Sequence, residues 1–214
     1  MPANAFFILL ISIIVSTSYA KYLIRGSGVE HRVLPGNLRG SVTAQCWSEI
    51  GNGKQLCLDN WEIGNGNATF TLTCVPDAGD DLQWCGIGFN IQYPAPTRWG
   101  MAPSEIIMLK VLTSGKIVLE DRTAPVAQLP PCFKKQLTTL IKATLNNDKS
   151  VTATFTRPVF LTDDFLALGY TNLNRTVPMV AAMNTGNPRF STAYCDDAIN
   201  YHTYQDNSLA IAFL

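Results

Sequence analysis

The feature that most constrains this chain is alternation. In "ATFTLTC" (residues 68–74), Phe70, Leu72 and Cys74 fall on one side and threonines on the other. A period of two marks a β-strand with one buried face and excludes a helix over that stretch. Further strand-like runs are "LQWCGIGF" (82–89), "EIIMLKVL" (105–112), "KIVLED" (116–121), "LTTLIKATLN" (137–146), "SVTATFTRPVF" (150–160), "DFLALGYT" (164–171), "VPMVAAMN" (177–184) and "LAIAFL" (209–214). Thr113-Ser114-Gly115 and Asn146-Asn147-Asp148-Lys149 read as tight hairpin turns. No segment carries a helical period of useful length. Many short strands with frequent turn signals predict an all-β antiparallel sandwich or barrel.

The leader bears on the compartment. Residues 6–15, "FFILLISIIV", are an apolar run interrupted only by Ser12 and followed by Ser18-Tyr19-Ala20. About ten apolar residues are too few to span a bilayer, which takes about 20. Residues 1–20 therefore read as a secretory signal peptide, which predicts a secreted, extracellular protein. No later stretch suits a transmembrane anchor. Residues 21–41 are expected to be an N-terminal arm or first strand, and 42–214 one domain. The formal charge is zero, with 16 basic and 16 acidic side chains. No basic stripe appears, so nucleic acid is an unsuitable partner.

Six cysteines, an even count in an exported chain, predict disulfides. Fifteen pairings are possible. Cys74 and Cys85 are equidistant from Gly79-Asp80 and would face one another across a hairpin. Cys46 and Cys57 flank "IGNGK" in the same way. Cys132 and Cys195 remain as the third pair. Asn67-Ala68-Thr69 and Asn174-Arg175-Thr176 are acceptor patterns for N-glycosylation at Asn67 and Asn174.

Residues able to carry chemistry are few. The two histidines are His31, in a polar segment, and His202, flanked by Tyr201 and Tyr204. Asp163-Asp164 and Asp196-Asp197 suit turns or helix caps. No serine sits in a nucleophile elbow, and no HExxH, P-loop or Rossmann glycine pattern occurs. The chain offers no catalytic set of its own. An unusual methionine, Met101, follows Trp99-Gly100 just before an apolar strand. Methionine is normally core filler.

"WCGIGFNIQYPAPTRWGMAPSEIIMLKV" followed by "GKIVLED" resembles the DOMON family. Gly88-Phe89, Gly100-Met101 and Ser104-Glu105 match its pattern, with Glu105 where Asp is usual. Trp61 stands at the expected aromatic of its opening strands, and Phe155, Arg157 and Pro158 match its "F-x-R-P" strand. "YHTYQDNSLAIAFL" resembles its closing histidine loop and last strand, without the usual glycine after the histidine. The resemblance covers about residues 42–214. It implies an immunoglobulin-like β-sandwich that can hold a ligand between its sheets. In the cytochrome branch of the family the ligand is haem b, bound by one Met and one His; those positions fall on Met101 and His202. Imidazole and thioether together fill both axial positions of the iron, which then passes single electrons. Trp99, Ile106, Met108, Tyr201 and Tyr204 are candidates to wall the macrocycle. The electron donor and acceptor, an unidentified redox partner protein among them, would be separate molecules. The alternative reading is an extracellular module binding a carbohydrate or another small-molecule ligand without haem.

Overall fold

A computed structural model describes residues 45–47, 54–90, 103–124, 130–173, 176–186, 189–193, 195 and 204–212; for 45, 176 and 204–212 this means the backbone. The expected signal peptide (1–20), the arm (21–41), Met101, His202 and the acceptor at Asn174 lie outside the described residues.

Among the described residues, ten strands and one short helix follow in chain order: β1 (Gln45–Trp47), β2 (Gln55–Gly64), β3 (Asn67–Val75), β4 (Leu82–Asn90), β5 (Ser104–Val111), β6 (Ile117–Ala124), β7 (Thr139–Leu145), β8 (Val151–Pro158), α1 (Asp163–Ala167), β9 (Thr176–Thr185) and β10 (Tyr204–Ala212). They form two five-stranded sheets, ordered β1-β2-β3-β8-β7 and β10-β9-β4-β5-β6. All of these pairings are antiparallel. The expected antiparallel β-sandwich is the fold observed.

The alternating residues fill the space between the sheets. Phe70 and Leu72 of β3 meet Ile87 and Phe89 of β4, and all four are fully buried. The Phe70 ring lies 5.7 Å from Phe89 in the opposite sheet and 5.6 Å from Phe155, its register partner on β8. Burying a ring of this size contributes about 1.5–3 kcal/mol. Met179, Ala181 and Met183 of β9 complete the same core. Among the described residues, the space between the sheets is packed with the protein's own side chains.

The two turns read from sequence close as expected. Gly115 adopts φ +80° and its N–H donates to Leu112 O at 2.9 Å, joining β5 to β6. Lys149, at φ +66°, joins β7 to β8.

Two local expectations are corrected. The stretch 164–171 is not a strand: Asp163–Ala167 is helical. Asp163 and Asp164 occupy the first turn, where carboxylates favour the positive end of a helix, and Gly169 at φ +93° ends it. Nor do β3 and β4 form a hairpin: they belong to different sheets. The Cys74–Cys85 disulfide therefore joins the two sheets through the core, with Cα atoms 6.5 Å apart. Cys46–Cys57 links directly paired residues of β1 and β2, and Cys132–Cys195 ties the segment before β7 to the segment before β10.

Candidate functional site

A sandwich of antiparallel sheets usually keeps its two outer faces polar. One sheet here obeys. Most outward residues of β3 and β8 are threonines, partly exposed and paired in register: Thr69–Thr156 at 3.2 Å, Thr71–Thr154 at 3.1 Å and Thr73–Thr152 at 3.0 Å. The other sheet departs from the rule. Every residue of β4 and β5 is buried, on both faces.

The outer face of that second sheet is built in rows across β9, β4 and β5. Val180, Gly88 and Ile106 form one row; Ala182, Gly86 and Met108 the next; Asn184, Trp84 and Lys110 the third. Two glycines sit at the centre: Gly86 lets the β5 backbone approach, and Gly88 lets flanking side chains close over β4. A Cβ on Gly88 would stand 2.6 Å from Val180 Cγ2 and 3.3 Å from Ile106 Cγ1. The result is a continuous apolar floor of Ile106, Met108, Val180 and Ala182, with Trp84 at one end and Phe190 packed against it. At the other end stands Ser104, 1% exposed, whose Oγ has no hydrogen-bond partner among the described residues.

A charged border runs along the β5–β6 side. Lys110 Nζ lies 2.7 Å from Glu120 Oε1, and Arg122 donates to Glu120 Oε2 through Nε (2.9 Å) and Nη2 (2.7 Å). Arg122 also donates to Pro130 O and Cys195 O, both at 2.8 Å. With the Cys132–Cys195 disulfide, this holds the start of the segment leading to residues 196–203. Ligand atoms of Glu120, Cys132 and Cys195 lie within 4.8 Å of one another, but both sulfurs are in the disulfide and supply no thiolate.

Glu105 and Arg157, from two separate motifs, come together inside the sandwich. Arg157 Nη1 donates to Glu105 Oε1, and both side chains are fully buried. Glu105 Oε2 also accepts from Thr171 N at 3.0 Å, while Arg157 Nη2 donates to Thr171 O at 2.6 Å. Burial pushes the Glu105 carboxyl up to about 7, against the pull of Arg157 and the Thr171 N–H; Asp121 adds a smaller upward push. Burial, then Asp121, likewise raises Tyr170, whose hydroxyl donates to Asp121 Oδ2 at 3.2 Å. These groups clamp the sheets together and do not reach the outer face.

Ile106 and Met108, expected to wall a macrocycle, do lie on the outer floor. Trp99 and Tyr201 lie outside the described residues, as does the Tyr204 side chain. Trp84 was not singled out from sequence, although its even spacing with Gly86 and Gly88 carried the signal. The strand ends bound the geometry. Ser104 pairs with Asn90, and Tyr204 with Met183, itself opposite Cys85. The starts of β5 and β10 are therefore at opposite ends of the sheet. Three strand spacings and five residues of rise separate them by about 22 Å.

The solved structures similar to this chain include two cytochrome domains. The cytochrome domain of Myriococcum thermophilum cellobiose dehydrogenase matches with a TM-score of 0.52 at 12% identity, over 80% of this chain and 85% of that one. The cytochrome b domain of pyranose dehydrogenase from Coprinopsis cinerea matches with a TM-score of 0.51 at 9% identity, over 78% and 80%. The chain has the fold of these cytochrome domains. No protein-family model matches the sequence, and the search of curated proteins found no relative. The cytochrome-domain likeness is thus one of backbone architecture, and it agrees with the DOMON-type motif order read along the chain. Among the described residues, no helix is long and apolar enough to cross a membrane.

Proposed function

We propose that this protein is an extracellular haem b module passing single electrons, with Met101 and His202 as the axial ligands. One observation carries the reading: the sheet that leads into both ligand-bearing segments has a buried, apolar outer face. Its floor of Ile106, Met108, Val180 and Ala182 beside Trp84 suits a planar apolar macrocycle, and the orphaned Ser104 hydroxyl suits a polar edge. The reach is sufficient. Met101 is three residues before Ser104 and His202 two before Tyr204, so about 10 Å and 7 Å of chain can close the 22 Å gap to within ligation distance. Both segments would have to run inward over this face. When bound, iron held by imidazole and thioether supplies a one-electron couple with a raised potential. The Lys110–Glu120–Arg122 border and the inter-sheet clamp brace the strands that carry the floor.

The fold shared with dehydrogenase cytochrome domains supports a separate redox partner. The test is reconstitution with haem. A sharp Soret band, with split α and β bands on reduction, is expected, and Met101→Ala and His202→Ala should each abolish that low-spin spectrum. If saturating haem yields no such spectrum, the reading fails. The same apolar face favours a second reading, a module for another flat apolar ligand, and that reading survives if haem alone is refused.

A further inference from the structure

The Asn67-Ala68-Thr69 pattern gains a location that sequence alone does not supply. Residues Asn65 and Gly66, at φ +52° and +76°, make a two-residue turn between β2 and β3. Left-handed values at both positions are what a tight hairpin needs, and they place Asn67 at the first rung after the apex. The apex stands in open space: a Cβ added at Gly64 or Gly66 would meet nothing within 4 Å. Asn67 is partly exposed and lies on the same outer face as Thr69, Thr71 and Thr73. Its Nδ2 donates to Asn65 O at 3.2 Å, a contact at the surface. All six cysteines are in disulfides, the state maintained where chains are glycosylated on export.

We propose that Asn67 carries an N-linked glycan rooted at the head of the threonine face. The donor is a lipid-pyrophosphate-linked oligosaccharide. A bond forms between Asn67 Nδ2 and the anomeric carbon, the bond from that carbon to the pyrophosphate oxygen breaks, and Nδ2 gives up one proton. One N–H remains on the amide, enough to keep the bond to Asn65 O. The Thr69 hydroxyl, which completes the acceptor pattern, afterwards donates to Thr156 Oγ1 within the folded sheet. A sugar chain is bulky and hydrated, so it shields the β3–β8 face. This proposal stands whether or not haem is bound.

The test is mass spectrometry of the protein secreted from a eukaryotic host. A glycan is expected on the Asn67 peptide, and peptide-N-glycosidase should release it and leave Asp at that position. Asn67→Gln and Thr69→Val should lose it, and Thr69→Ser should keep it. An Asn67 peptide recovered mainly unmodified would overturn the proposal. So would a glycan mass that persists in Asn67→Gln and disappears only in Asn174→Gln. Circular dichroism of Asn67→Gln should match that of the parent, because the side chain lies at the surface.

Discussion

Replacing Glu105 by Gln isolates the cost of holding a carboxylate between the sheets. In the folded protein this carboxyl is raised from 4.5 to about 7, chiefly by burial. A raised acid binds its proton more tightly in the folded than in the unfolded chain. Between pH 4.5 and about 7 the folded state therefore holds the extra proton, and stability falls as pH rises through that window. The full change is 2.5 pH units at about 1.4 kcal/mol each, or about 3 kcal/mol. Gln resembles the protonated carboxyl and does not titrate, so the variant lacks this fall. Urea unfolding of both proteins across the window gives the difference in stability at each pH. That difference should move in the variant's favour by about 3 kcal/mol from the acid end to the neutral end. A constant difference would refute the reasoning. A difference moving the other way would mean that the Arg157 ion pair outweighs the cost of burial.

Gly88→Ala should destabilise by about 1–3 kcal/mol in the same assay, because its methyl would meet Val180 and Ile106 closed over the strand. Converting Cys132 and Cys195 together to Ala opens a link of sequence separation 63 and should cost about 4 kcal/mol, read from the urea midpoint. The corresponding change at Cys46 and Cys57, separation 11, should cost about 3 kcal/mol. A double-mutant cycle of Thr71→Val and Thr154→Val should show a coupling of about 0.2–1 kcal/mol, since the two hydroxyls bond to one another across the strands in register.

Local periodicity revealed most strands, because side-chain alternation depends only on neighbouring residues. It could not reveal which sheet a strand joins. Phe70-Leu72-Cys74 and Cys85-Ile87-Phe89 alternate identically whether they pair with one another or face one another across a core. The choice is made by long-range partners: β8 for the first and β9 for the second. The apolar run Phe165-Leu166-Ala167 was too short to distinguish strand from helix by period, although the acidic pair before it and Gly169 after it were the usable signals. Glu105 and Arg157 were legible as members of two separate motifs, but their contact spans 52 residues. The apolar outer face was visible only in part. Trp84-Gly86-Gly88 looks like an ordinary outward set until its partners, Val180 and Ile106, are placed on either side.

The strand order also sets the pace at which this protein can assemble. The adjacent pairs β2–β3, β5–β6 and β7–β8 close short loops and can form early. The pairings at the middle of each sheet cannot. Thr69 must find Thr156, 87 residues along the chain, and Phe89 must find Met179, ninety residues along. Proteins dominated by such distant pairings fold in milliseconds to seconds rather than microseconds. During that interval the edges of β3 and β4 are unpaired. A Cys74–Cys85 link formed early, across only 11 residues, would hold β3 and β4 against each other while each finds its distant partner.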